Sequence, residues 1–556
     1  MLSNRGIRNI EAYLKLSDEV IHSYELFSDT IHMAVERLLH HIENESLIQI
    51  IVDPDTDGYC SASMLYMYIK DVMKYNRIIY SLHHGKEHGI TQDIVIHEDT
   101  KLLIVPDAGT NDVEQAKQLA LRGIDVIVID HHISDLDNPY ALIVNNQCCD
   151  YPNKQLCGAG VVYKFLQALD DVTWNEGADN YLDLVAVANI GDIMDLREYE
   201  TRRLVTKGLQ RIAHPFIKAL LEKRKFDVSD TDIPNVIDMS FYIVPLINAM
   251  IRSGTQEEKQ LMFEAFIKDY KTFTYQPRRK NKNDPMPLPV EESIYEKVVR
   301  LSLNAKSRQN KAKEKSVKSI VESYSEYNKE NIIFFANVTG LVEQEHTGLV
   351  AMEIAKKFNR PCLALRKNST GDTYSGSGRN IKDGIIENLK EELMESGLFE
   401  MVAGHEGAFG CEIKKENIPK AIAYFNAKYQ GYNFEPIYRV DFILEELTYQ
   451  MIRELDKLKW VYSSFIEEPK IALENFEIGV DDIEVFGKAP KVHWKVNLDG
   501  IEYIKFNATE EDALLLQMDT CNSMVLNLVG VTKINQYGGK VTPQFLITDY
   551  EILEIQ

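Results

Sequence analysis

The chain has few cysteines and tryptophans, seven and three among 556 residues. An odd number of thiols with no Cys-x-x-Cys pair excludes a disulfide-stapled scaffold. Cys148, Cys149 and Cys157 lie close together, but their spacing fits no common zinc pattern, so they are expected to be reduced thiols. No apolar run approaches the ~18 residues needed to span a bilayer. Residues 1–20 lack the apolar segment and small-residue cleavage site of a secretory leader, and the cytoplasm is the expected compartment. Positive charge is also scarce: 62 Lys+Arg stand against 85 Asp+Glu, a net charge of −23. A uniformly basic nucleic-acid coat is therefore excluded, and any polyanion must meet a local basic surface.

Core-forming residues are plentiful. Hydrophobic residues make up 45% of the chain, with 28 Tyr and 21 Phe, which excludes global disorder. Length alone suggests three to five domains. Residues 1–46 read as a helical segment. Over 47–215, short β-rich runs alternate with helical ones: strands at Leu47–Val52, Lys101–Val105, Asp125–Ile129 and Ala141–Val144, and helices at Ser61–Tyr75, Asp112–Arg122, Gly158–Leu169 and Tyr181–Ala188. Such alternation predicts an α/β domain with a parallel sheet. Residues 216–330 read as a helical linker. From Lys271 to Lys318 there are 13 basic and 5 acidic residues, a difference of +8 that leaves −31 on the rest; this is either a solvated helix face or a phosphate-facing track. A second α/β pattern covers 331–430. A connecting helix is expected over 431–465, running from about 437 to Trp460. Residues 466–556 alternate with a period of two between turns at Asp499-Gly500 and Gly538-Gly539, as a small β-barrel would.

The acids sit where chemistry is expected. Asp53, Asp55 and Asp57 follow the first strand in Asp-Pro-Asp-Thr-Asp-Gly, Asp107 follows the next, and Asp130, His131 and His132 follow the third. In a parallel sheet these ends open on one edge, so residues distant in sequence converge. Carboxylates crowded together repel one another, and divalent cations relieve that; oxygen ligands with imidazole suit Mn²⁺, Mg²⁺ or Zn²⁺. There are enough ligands for two ions, the arrangement that clamps an in-line phosphoryl displacement. A calcium loop is the alternative for Asp-x-Asp-x-Asp-Gly, but Met64 stands where that loop needs Glu. Asp192, after an apolar helix, is either a further ligand or a plain helix cap.

These motifs together resemble the DHH phosphoesterase superfamily. Further matches point to its RecJ-type, single-stranded-DNA-specific exonucleases: Cys157-Gly158-Ala159-Gly160-Val161, Gly191-Asp192, Pro245 to Asn248 ending at Arg252-Ser253-Gly254, Asn304 to Gln309, Gly376-Ser377-Gly378-Arg379 and Gly404-His405. The resemblance implies a parallel-sheet DHH domain, a helical linker, a DHH-associated domain and a C-terminal OB-like barrel. It implies 5′→3′ exonuclease activity with two Mn²⁺ or Mg²⁺ ions. Asp53, Asp55, Asp57, Asp107, His131, His132 and Asp192 map to metal and catalytic positions, with Asp130 orienting a histidine. Arg252, Asn248, Ser377 and Arg379 map to substrate positions, and His405 to one over the scissile phosphate. Single-stranded DNA is the implied substrate, a helicase or single-strand-binding protein the implied partner, and a monomer the implied state.

Two motifs depart from the family pattern. An Arg before a Gly-Tyr-Gly turn is replaced by His83-His84-Gly85-Lys86-Glu87-His88-Gly89, where Lys86 or a histidine substitutes, and a Pro-Phe-Gly-x-Gly-Asn motif is replaced by Trp460 to Phe465. Trp494, Tyr503 and Phe506 are candidates for stacking on bases, with the barrel core as the alternative. The rival functions are a short-oligonucleotide or cyclic-dinucleotide phosphodiesterase of the same superfamily and a non-enzymatic replication scaffold.

Overall fold

The computed structural model describes residues 1–555 except positions 86, 93, 135, 230, 231, 280, 283, 324–330, 370, 383, 433, 434, 489, 490, 509–521, 538 and 539. The Gly538-Gly539 turn and Lys86 therefore lie outside the described residues.

After two helices, α1 (Ile10–Leu14) and α2 (Ser28–Glu43), the chain enters its first sheet: β1 (Leu47–Val52), β2 (Ile78–Leu82), β3 (Thr100–Pro106), β4 (Asp125–Asp130) and β5 (Leu142–Asn145). All neighbours are parallel, in the order β2-β1-β3-β4-β5. β1 and β4 are buried along nearly their whole length, as expected of strands covered on both faces. α3 (Thr56–Met67) and α4 (Val113–Leu121) follow β1 and β3. α5 (Gly158–Thr173), α6 (Leu182–Gly191) and α7 (Tyr199–Gln210) pack in sequence, with α3 against both α5 and α6. The sheet order reverses direction between β1 and β3, and the crevice beyond that switch point is where such folds bind ligands. β2 is the one strand of this sheet that the hydropathy pattern did not single out.

α8 (Pro215–Lys223), α9 (Val236–Asp238), α10 (Val244–Ser253) and α11 (Gln256–Phe266) lead into a hairpin of β6 (Thr272–Tyr275) and β7 (Val290–Ser293), then the long α12 (Ile294–Ser323). The segment Val236–Ser253 is apolar and long enough, by length and composition, to cross a membrane, with a mean hydropathy of 1.3. This corrects the expectation that no run comes close. It carries Asp238 and Arg252, more than half of it is buried, and it packs on α12, as a core helix does.

The second α/β unit has β8 (Phe334–Asn337), α13 (Thr347–Phe358), β9 (Cys362–Lys367), β10 (Thr373–Arg379), α14 (Leu389–Glu395), β11 (Phe399–His405), β12 (Ala408–Lys414) and α15 (Ile418–Lys428), in the sheet order β11-β12-β10-β9-β8. The helix expected from about 437 to Trp460 is instead β13 (Phe442–Leu444), paired parallel to β14 (Ile471–Gly479), and a short α16 (Tyr449–Asp456). Thr448 caps that helix by accepting from Met451 N–H at 3.3 Å, so the helix starts some twelve residues later than its periodicity suggests. β15 (Glu484–Lys488), β16 (Lys491–Leu498), β17 (Ile501–Ala508), β18 (Ser523–Tyr537) and β19 (Lys540–Ile555) complete a seven-stranded mixed sheet, β13-β14-β18-β19-β17-β16-β15. Trp494 and Tyr503 sit in its core, which corrects their candidacy as DNA contacts. Phe506, on the opposite face, is 48% exposed.

One fully buried ion pair locks α5 to α7. Lys164 Nζ lies 2.8 Å from Glu200 Oε1, both with no exposed side chain. Tyr151 and Asn153 also donate to Glu200, at 2.8 and 3.0 Å, and Lys164 donates to His22 O at 2.6 Å. Removing one partner of such a pair strands the other. Lys164→Met is expected to destabilise the protein by about 3–5 kcal/mol, read from the urea midpoint; a loss under about 1 kcal/mol would contradict this role.

Candidate metal and phosphate site

Each carboxylate at the β1–β3–β4 edge is held by the backbone around it. β1 ends at Val52, and Asp53 is 1% exposed. Asp55 is the N-cap of α3 and accepts from Gly58 N–H at 3.0 Å. Gly58 is required, because a Cβ there would lie 2.5 Å from Asp53 Cβ. Asp57, in the first turn of α3, accepts from Gly158 and Ala159 N–H at 2.6 and 2.8 Å and from Ser61 Oγ at 3.1 Å. Those two amides are unpaired donors at the start of α5, so one helix start fixes a carboxylate on another.

Asp107 extends the β3 ladder by donating its N–H to Ile129 O at 2.8 Å, and then turns with φ = 67°. That left-handed conformation is uncommon outside glycine and swings the side chain into the crevice. A Cβ on Gly158 would lie 2.4 Å from Asp107 Oδ1, so the cysteine–glycine start of α5 admits this carboxylate. Asp130 is taken up by donors of its own. It accepts from Thr110 N–H and Oγ1 at 3.2 and 2.7 Å, from His131 and His132 N–H at 2.7 and 3.2 Å, and contacts His132 Nδ1 at 2.8 Å. It thus positions both histidines, and this bond leaves His132 Nε2 toward the crevice.

The sequence-predicted residues converge. His131 Nε2 lies 3.3 Å from Asp107 Oδ1, 3.6 Å from Asp192 Oδ2 and 3.8 Å from Asp57 Oδ2. Ligand atoms of Asp57, His131 and Asp192, of Asp107, His131 and His132, and of Asp53, Asp55 and His88 form three groups, each within 4.8 Å. Burial and mutual repulsion push Asp53 up to about 6, Asp192 up to about 8 and Asp107 well above the usual carboxylate range. Burial lowers His131, whereas the bond to Asp130 raises His132 to about 9. Asp107 Oδ1 is a buried oxygen without a hydrogen-bond partner. A buried, unsatisfied acceptor is costly, and a mixed carboxylate–imidazole donor set fits a hard divalent cation.

A second cluster lies on α10, α13 and β10. Thr56, between Asp55 and Asp57, donates to Asn248 Oδ1 at 2.9 Å. Arg252, one turn along α10, shares a face with Asn248. Arg379 on β10 is pushed below its usual range by burial and then by the charge of Arg252. No carboxylate pairs with either guanidinium among the described residues. Ser377 Oγ lies 3.0 Å from Thr347 Oγ1, at the start of α13. Gly348 lets Arg379 in, because a Cβ there would meet Nη2 at 2.5 Å. Two unpaired cations, hydroxyls and a helix N-terminus make an anion site. His405 is exposed and makes no described contact with the aspartates, but Arg379 and His405 both register with Ala408, so His405 occupies the same sheet end about 10 Å away.

Sequence reasoning did not identify Thr347, Gly348 or Thr110, and treated His88 only as a stand-in for a missing arginine. His88 Nδ1 lies 2.5 Å from Asp53 Oδ2. Part of the basic stretch 271–318 is paired locally: Lys271 with Glu264 and Asp269, Arg300 with Glu292, Arg308 with Glu258 and Lys313 with Glu353.

The raised carboxylates hold protons in the folded state that an unfolded chain, titrating near pH 4, has released. Stability from a raised group is present below the unfolded value and is lost as pH rises through the folded one. In metal-free protein Asp53 and Asp192 are thus expected to lower stability as pH rises from about 4 to about 6 and 8 respectively, and His132 from about 6.5 to 9. Added divalent cation is expected to restore it, as melting temperatures would show. A flat metal-free profile would contradict the assigned crowding.

Comparison with known proteins agrees with this geometry. Residues 47–189 match the DHH family, N-terminal domain. The putative SPbeta prophage-derived single-strand DNA-specific exonuclease YorK of Bacillus subtilis is 37% identical, over 100% of this chain and 95% of its own length. The single-stranded-DNA-specific exonuclease RecJ of the same organism is 26% identical over 94% of this chain and 63% of its own length. The crystal structure of RecJ in complex with Mn²⁺ from Thermus thermophilus superposes with a TM-score of 0.70 at 19% identity, over 99% of this chain and 75% of the other. With its acids at three strand ends and an anion site beside them, the chain belongs to the DHH family, in its RecJ-type branch.

Proposed function

We propose that this protein is a divalent-metal-dependent exonuclease that hydrolyses single-stranded DNA from its 5′ end and releases 5′-mononucleotides. The observation that carries this reading is the junction of two sites. The Thr56–Asn248 bond ties the carboxylate cluster to the helix that bears Arg252, whose charge acts on Arg379 of the second sheet. A phosphate seated on the arginines would leave the next phosphodiester to the acids.

Asp53, Asp55, Asp57, Asp107, Asp192, His131 and His132 are the residues that would hold two divalent cations, Mn²⁺ or Mg²⁺. When bound, such ions polarise the scissile phosphate and make water a nucleophile near neutral pH. The remaining work falls to the chain. Asp130 fixes the backbone of both histidines and the ring of His132. Arg252 and Arg379 present forked donors suited to phosphate oxygens, Ser377 and Thr347 add hydroxyls, and His405 reaches the scissile phosphate from the second sheet. Asn248 sets the spacing between the two clusters. Lys86, two residues before His88 in the sequence, is assigned a phosphate contact on the resemblance alone.

The C-terminal sheet carries a partly exposed aromatic patch. Phe486, His493 and Phe506 lie with ring centroids 5.2, 5.4 and 6.5 Å apart, the kind of platform on which bases stack irrespective of sequence. This patch, on a sheet other than the one that carries the acids, favours a long strand over a dinucleotide. We assign residues 47–215 to catalysis, 331–430 to phosphate binding and 466–556 to holding the strand. The enzyme is taken to act as a monomer in the cytoplasm, on strands exposed by a helicase or covered by a single-strand-binding protein.

A single strand labelled at either end is expected to release labelled mononucleotide at once from the 5′ end only, in Mn²⁺, with duplex resistant. Release from the 3′ end, or cleavage of very short oligomers alone, would move the function to the small-substrate branch. Asp107→Ala should lower turnover by more than about 100-fold, the loss that even outer-shell partners of metal ligands carry, with strand binding retained.

Phe486→Ala together with Phe506→Ala should weaken binding of long strands by tenfold or more, since stacking contributes about 1–3 kcal/mol per base. Hydrolysis of short oligomers should be unchanged. Equal losses on both substrates would contradict the assigned platform.

A further inference from the structure

The loop between β2 and β3 brings a third imidazole to the crevice. His88 contacts Asp53 Oδ2 through Nδ1 at 2.5 Å, and the next residue, Gly89, donates its N–H to Asp53 Oδ1 at 3.0 Å. Gly89 has φ = 70°, and a Cβ there would lie 2.2 Å from Asp112 Oδ2, so a side chain at this position is excluded by both conformation and space. Ile90 N–H donates to that same carboxylate oxygen at 2.7 Å, and Ile90 and Ile94 are buried beneath the sheet. The loop is therefore anchored immediately after the imidazole. Yet the His88 side chain is 59% exposed against 2% for Asp53. An exposed ring is thus held by a rigid backbone against a buried carboxylate.

Anchoring of Asp53 does not need this ring, because the Gly89 amide already fixes one oxygen. Ligand atoms of His88, Asp53 and Asp55 lie within 4.8 Å of one another. They form a group separate from those built on His131, whose unsatisfied Asp107 Oδ1 already points to a cation. We propose that His88 is a ligand of the metal centre: with Asp53 and Asp55 it completes a mixed nitrogen–oxygen site on the β1–β2 side of the crevice that selects a transition-metal ion such as Mn²⁺ over Mg²⁺. The inference rests on the metal-dependent reading above. A cation entering there displaces the hydrogen that Asp53 and His88 share. Imidazole nitrogen suits first-row transition metals, whereas Mg²⁺ prefers oxygen and retains water, so losing the ring penalises the two ions unequally.

The test counts bound Mn²⁺ from the paramagnetic signal of the free ion during titration of the full-length protein, and needs no substrate. Wild type is expected to bind two ions. His88→Ala should keep one and bind the second at least tenfold more weakly, while Mg²⁺ affinity, read by competition, changes less than threefold. His88→Asn retains a donor to Asp53 and serves as the variant should alanine unfold the loop, as metal-free melting would reveal; it should show the same selective loss. Two Mn²⁺ ions bound within twofold of wild type would overturn the proposal, as would equal weakening of Mn²⁺ and Mg²⁺, which is what mere positioning of Asp53 produces. Wild type that binds no Mn²⁺ would instead refute the metal-dependent reading itself.

Discussion

Like charges forced into one buried crevice are the constraint on which this structure turns. Asp53, Asp57 and Asp107 are almost wholly buried, and Asp55 and Asp192 border them. Desolvation and mutual repulsion hold Asp53, Asp107 and Asp192 above the normal carboxylate range. A fold does not gather such groups for stability, because each is costly to bury without compensation. The cost is met locally by fixed donors: the α5 amides on Asp57, the Gly89 amide on Asp53, and Thr110 with two histidine amides on Asp130. Asp107 Oδ1 accepts no hydrogen bond among the described residues, and a divalent cation would satisfy it.

The rest of the chain serves that crevice. The parallel sheet with its switch point at β1 and β3 supplies the edge, and α5 closes it from above. α10 carries Asn248 and Arg252 from the carboxylates to the second sheet, where Arg379, Ser377 and the start of α13 make an anion site. The two halves touch where Ser253 Oγ lies 3.4 Å from both His346 Nε2 and Gln309 Nε2. Acidic and basic sites are thus set side by side, a layout suited to a polyanion whose reacting phosphate needs metal and whose neighbouring phosphate needs arginine.

Much of this was legible in the sequence for a geometric reason. Strand-end residues of a parallel sheet share an edge, so Asp53, Asp107 and His131 could be brought together without knowing the register. Loops and non-local faces carry no such rule. His88 lies in a loop without periodicity, and its contact with Asp53 depends on a glycine turn braced by Asp112. Gly348 matters only because Arg379 passes it. In Ile501 to Phe506 both faces carry apolar residues, so alternation alone does not say that Tyr503 points inward and Phe506 outward. The carboxylates that pair with Lys271, Arg300, Arg308 and Lys313 were not legible, because sequence shows charges but not their partners. The helix expected from about 437 failed at Thr448, a capping residue inside an otherwise periodic run.

The most direct test of the central claim is diffraction at the manganese absorption edge from crystals soaked in Mn²⁺. An anomalous peak is predicted within bonding distance of Asp107 Oδ1 and His131 Nε2, with Asp57 and Asp192 closing around it. Crystals that take up Mn²⁺ only elsewhere, with His131 and Asp107 still in mutual contact, would contradict the account.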